Sequence, residues 1–132
     1  MPQNLNRNTK DQAGFVTTWT EVATGAAGDD PECVKAAVTG SSHFITFIVS
    51  STDNTDPGHT VKVYLRADEK TTGTLFLEVW PIEQDGTPSI INFSSPIQMP
   101  EGTVVSLEGI TSDGSDSCSL TMGGFTSDTR VD

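Results

Sequence analysis

The sequence predicts an all-β protein, an antiparallel, jelly-roll-like β-sandwich of about eight strands. Three observations carry this. No stretch of the 132 residues repeats apolar positions at helical spacing for more than a turn or two. Short apolar runs recur at fairly even intervals. Turn-forming clusters separate them: "TGAAGDDP", "TDNTDPGH", "DEKTTG", "EQDGTP", "MPEG" and "SDGSD".

In chain order the strands are expected at 14–22 ("GFVTTWTEV"), 33–38 ("CVKAAV"), 43–50 ("HFITFIVS"), 60–67 ("TVKVYLRA"), 74–82 ("TLFLEVWPI"), 88–94 ("PSIINFS"), 103–111 ("TVVSLEGIT") and 117–125 ("SCSLTMGGF"). Strand 43–50 alternates Phe44, Thr46, Ile48 with Ile45, Phe47, Val49. Both sides are apolar, which predicts a central strand covered on both faces. Strand 103–111 sets Val105, Leu107 and Gly109 against Val104, Ser106 and Glu108, the alternation of a half-buried antiparallel strand.

The hairpin 60–81 has one plain face and one unusual one. Val61, Val63, Leu65, Ala67, Leu75, Leu77 and Val79 form the expected core side. The opposite side carries Lys62, Tyr64, Arg66, Phe76, Glu78 and Trp80. Two registers satisfy the alternation. One sets Lys62 against Glu78 and Tyr64 against Phe76. The other sets Tyr64 against Glu78, Arg66 against Phe76 and Lys62 against Trp80. Each joins aromatic or charged partners of similar cross-strand value. Aromatic residues and Arg are enriched where proteins meet. The face therefore reads as a second core with charges at its rim, as a subunit interface, or as a platform on which sugar rings stack. Trp19 is a further aromatic candidate for it.

The length fits one domain, a β-sandwich at 13–132 preceded by an extended N-terminal arm at 1–12 ("MPQNLNRNTKDQ"). The arm is polar and patternless, and Asn4, Leu5 and Arg7 are its expected contacts with neighbouring subunits. No apolar run follows the charges at the start, so no signal peptide is expected. Acidic residues number 18 against 7 basic ones, a formal net charge of −11. Such a surface repels nucleic-acid phosphates and anionic lipid, so neither is expected as a partner.

Catalytic constellations are missing from the sequence. It contains no G-x-S-x-G, H-E-x-x-H, P-loop or G-x-G-x-x-G pattern. His43 and His59 are the histidines, both expected at the surface. Ser41 or Ser42 beside His43 forms no triad, because neighbouring strand side chains point to opposite faces. Glu78 and Glu108 are a conceivable carboxylate pair but carry no sign of a pocket. Acidic turns offer oxygen ligands, with Asp53 and Asp56 the best calcium candidates, yet none matches a calcium-loop pattern. No metal and no cofactor is expected. Cys33 and Cys118 are expected to be free buried thiols, with a disulfide the alternative.

The stretches "VKVYLRAD" and "TLFLEVWP", the Ser/Thr/Gly-rich β texture, the polar arm and the missing signal peptide together resemble the small β-sandwich proteins of tailed-phage virions. These are capsid decoration (cement) proteins and tail or fibre accessory domains. The resemblance spans the chain in texture and includes no motif, so no family site residue carries over. It implies a non-enzymatic structural protein made in the host cytoplasm and located in the virion. It implies a homo-oligomer, a trimer, bound to the major capsid protein or another virion protein. Tyr64, Arg66, Phe76, Glu78 and Trp80 are then the expected interface. The alternative is a carbohydrate- or receptor-binding module of a phage tail or fibre.

Overall fold

The computed structural model describes residues 16–25, 30–52, 61–69, 72–79, 88–111 and 117–128. Every one of the eight expected strands is present: β1 (Val16–Gly25), β2 (Glu32–Lys35), β3 (Ser41–Thr52), β4 (Val61–Ala67), β5 (Thr74–Val79), β6 (Ser89–Gln98), β7 (Val105–Thr111) and β8 (Cys118–Asp128). They form two four-stranded sheets, in the orders β1-β8-β3-β6 and β2-β7-β4-β5. All neighbours are antiparallel.

The pairing is nested. β1 lies on β8, β2 on β7, β3 on β6 and β4 on β5. A long hairpin rolled over itself gives this order, and it is the jelly-roll arrangement of a double Greek key. The arm at 1–12, with Asn4, Leu5 and Arg7, lies outside the described residues. So do Asp53, Asp56, His59 and Trp80.

The core sits between the sheets. Ile45, Ile48, Leu120 and Met122 come from the first, and Val61, Val63, Leu65, Val105 and Leu107 from the second. Met99 and the thiols of Cys33 and Cys118 complete it. Each fully buried Leu or Ile contributes roughly 2 kcal/mol of transfer free energy.

Two bulges change the expected faces. β3 slips register between Ile45 and Phe47. The extra residue, Thr46, re-phases the strand, so Ile45 and Ile48 both reach the core although they are three apart. Phe44, Phe47 and Val49 point outward and are only half-buried, so β3 is central but not covered on both faces as expected. β7 departs the other way: Ser106 and Glu108 on its outward side are buried along with Val105 and Leu107.

The second bulge lies in the hairpin. Val63 pairs with Val79, Tyr64 with Glu78 and Leu65 with Leu77; then Arg66 pairs with Leu75. The register that sets Tyr64 against Phe76 is not formed. In the other register only the Tyr64–Glu78 pair is seen among the described residues. Phe76 is the inserted residue, 39% exposed, and Leu75 beyond it leaves the core side and is 49% exposed.

Candidate functional site

On the outward face of the second sheet one row of side chains runs across all four strands: Glu78 on β5, Tyr64 on β4, Glu108 on β7 and Glu32 on β2. The next row holds Leu75, Arg66, Ser106 and Val34. Alternation along β4 is what brings Tyr64 and Arg66 to this side, since Val63, Leu65 and Ala67 fill the core.

Arg66 organises the face. Its Nη1 donates to Glu108 Oε1 at 2.9 Å, and its guanidinium lies 4.8 Å from the centre of the Tyr64 ring. Glu108 is almost fully buried, so the cation is what makes its burial tolerable. Tyr64 sits directly across the ladder from Glu78. Burial, then the adjacent Glu78 carboxylate, pushes the Tyr64 phenol pKa up from 10.0. Ser106, in the row beside Glu108, has a buried Oγ with no hydrogen-bond partner among the described residues.

This geometry brings Tyr64, Arg66 and Glu78 together and adds Glu108, which the sequence offered only as half of a carboxylate pair. Glu78 and Glu108 flank Tyr64 on successive strands, so their backbones lie two strand spacings apart, about 10 Å. A carboxylate pair that cleaves a glycosidic bond needs one member to hold a proton. Glu108 is paired with the Arg66 guanidinium, and Glu78 faces Tyr64 across the ladder. Among the described residues no three His, Cys, Asp or Glu side chains are placed to hold a metal ion.

Two residues read as surface candidates lie inside. His43 is buried on the inward side of β3. Its Nε2–H donates to the Ala36 carbonyl at 2.8 Å, which fixes the tautomer, and Nδ1 accepts from Thr126 Oγ1 at 2.7 Å. Burial and the nearby Lys35 charge lower its pKa below 6.5, against the opposing pull of the Ala36 hydrogen bond. Trp19 does not join the hairpin face. It lies on the inward side of β1, with its ring edge-on to His43 at 5.7 Å and Lys35 5.4 Å above it. The Cys33 thiol is pushed up to about 12, first by burial and then by Glu21.

The structure also shows a surface the sequence reading missed. Three rows cross the outward side of the first sheet. They hold Thr18, Phe125, Phe44 and Gln98; Thr20, Gly123, Phe47 and Asn92; and Val22, Thr121, Val49 and Ile90. None of these residues is charged. Phe44 and Phe125 stack with centres 4.8 Å apart and planes 8° from parallel. Val22 and Ile90 at the two margins are 67% and 62% exposed. The signal was present in "FITFIV", but only the bulge shows that its outer half stays open.

No family model matches this chain, and no curated protein matches it. Among solved structures it is similar to the family 32 carbohydrate-binding module from C. perfringens NanJ in complex with galactose. That match has 16% identity over 86% of this chain and 96% of the module, with a TM-score of 0.41. It is also similar to part of the infectious bursal disease virus T13 particle protein, with 12% identity over 86% of this chain and 36% of the viral one, TM-score 0.45. A third match is the Yersinia pseudotuberculosis-derived mitogen, with 9% identity over 83% of this chain and 84% of the mitogen, TM-score 0.39. These are likenesses of a β-sandwich fold alone. The jelly-roll topology rests on the strand pairing described above.

Proposed function

We propose that this chain is a non-enzymatic structural protein of a phage virion, a capsid decoration protein that associates with copies of itself and with the shell. The observation that supports this most is the outward face of the first sheet. A molecule with a net charge of −11 keeps twelve positions across four strands free of charge there, with Phe44, Phe47, Phe125, Val22 and Ile90 among them. Exposed apolar area of this kind marks a contact surface. The aromatic and charged hairpin face, Tyr64, Arg66 and Glu78, supplies a second one, with Phe76 at its margin.

The alternative reading is a carbohydrate-binding module of a tail or fibre. It needs an aromatic ring open for stacking on a sugar. Arg66 lies across the Tyr64 ring, which weighs against that residue as the platform.

The test is co-sedimentation of the purified protein with phage particles lacking their decoration layer. Binding that is lost on removal of residues 1–12, or on Phe44→Asp, fits the proposal. No binding to particles, together with a tryptophan fluorescence change on adding glycans, would favour the sugar reading.

A further inference from the structure

The two sheets end in four edge strands, and three of them are blunted. β2 has four residues. β5 has six and carries the bulge at Phe76. β6 contains Pro96, which has no N–H to offer, and its pairing with β3 breaks between Ile45 and Phe47. Short length, bulges and proline are the devices by which sheets avoid adding a foreign strand.

β1 has none of these. Its ten residues, "VTTWTEVATG", pair one for one with β8 without a register shift. It contains no Pro, Lys or Arg. Its one charge, Glu21, lies on the inward side and is half-buried. The outward residues Thr18, Thr20, Val22 and Thr24 are all exposed and uncharged. No strand flanks the far side of β1 among the described residues.

Resting on the reading that the chain works by self-association, we propose that two copies join through their β1 edges, antiparallel about a two-fold axis with Thr20 opposite Thr20. The occupant is a second copy for two reasons. Molecules that each carry −11 approach most readily where little charge is presented, and on the β1 edge the one charge, Glu21, is turned inward and half-buried. The other edges are too short or too broken to receive a ten-residue strand, so β1 finds its match in β1. Like edges that pair with each other generate a two-fold axis and not a three-fold one.

The register follows from side-chain pairing. Centring on Thr20 places Thr18 against Val22 and Trp19 against Glu21. Centring one residue later would set Glu21 against Glu21, a like-charge pair that is destabilising. The dimer joins two four-stranded sheets into one continuous sheet and makes the two uncharged outward faces contiguous.

The test uses the purified protein alone. Val22→Lys and Ile90→Lys make the same charge change at similarly exposed sites in one row, on opposite edges of the sheet. Sedimentation equilibrium should show a dimer whose association weakens about tenfold or more in Val22→Lys and is unchanged in Ile90→Lys. Opposed residues in such a pair lie roughly 5 Å apart at Cβ, so Thr20→Cys should form a reducible covalent dimer under mild oxidation. Buried Cys33 and Cys118 do not compete. A trimer, equal loss in both lysine variants, a wild-type dimer that Thr20→Cys fails to cross-link, or a monomer that dimerises only without residues 1–12 each overturns the proposal. A cross-linkable dimer that ignores phage particles would instead refute the virion reading and leave this one standing.

Discussion

Arg66 and Glu108 form an ion pair at 2.9 Å in which the acid side chain is 4% exposed and the base 14%. Breaking it leaves one charge stranded under the hairpin face. Arg66→Ala is expected to cost about 3 kcal/mol in urea unfolding. Replacing both, as Arg66→Met with Glu108→Leu, is expected to recover most of that loss. If the double variant is no more stable than Arg66→Ala, the pair is not what makes Glu108 burial tolerable.

His43 gives the fold a pH dependence. Its folded pKa lies below 6.5 because burial disfavours the imidazolium. Below pH 6.5 the unfolded chain therefore binds a proton that the folded state refuses, and stability falls as pH is lowered. Above 6.5 the contribution of His43 is constant. Thermal unfolding between about pH 5 and 8 should show this fall, and His43→Gln should flatten it.

The thiols should be silent in the native state. Cys33 is pushed up to about 12 and Cys118 is buried in the core. A thiol reagent at neutral pH should label neither until urea unfolds the chain, after which both react. Rapid labelling of Cys33 in the folded protein would contradict its placement between the sheets.

Gly123 is required by its neighbour. A Cβ at this position would run into the ring of Phe47. Gly123→Ala should destabilise by about 1–3 kcal/mol, and Phe47→Leu in the same chain should restore part of it. At Gly124 the obstacle is the Phe44 backbone carbonyl, so no side-chain change should rescue Gly124→Ala.

The sequence carried the strands and the inner side of β4, because alternation and turn residues are local signals. It did not carry phase. Nothing in "HFITFIVS" marks Thr46 as an extra residue, since the slip is defined against Gly123 and Gly124 on β8. The same holds for Phe76, whose insertion depends on how Arg66 pairs. His43 read as a polar surface residue because the hydroxyl that makes its burial tolerable, on Thr126, lies 83 residues away. Of the hairpin face, Tyr64, Arg66 and Glu78 were legible, and the Tyr64–Glu78 pairing belonged to one of two equal registers. Glu108 entered only through the β4–β7 ladder.

Val16 faces Ser127 across the β1–β8 ladder, their Cα atoms about 5 Å apart. The sandwich thus has its entrance and its exit side by side. A protein fused before residue 16 or after residue 128 would be displayed at one common position. For the same reason the whole domain can be spliced as a cassette into a surface loop of a host protein with little distortion of either. Joining the two ends by a short linker and reopening the chain at the Val38–Ser41 turn should give a circular permutant that keeps all eight strands.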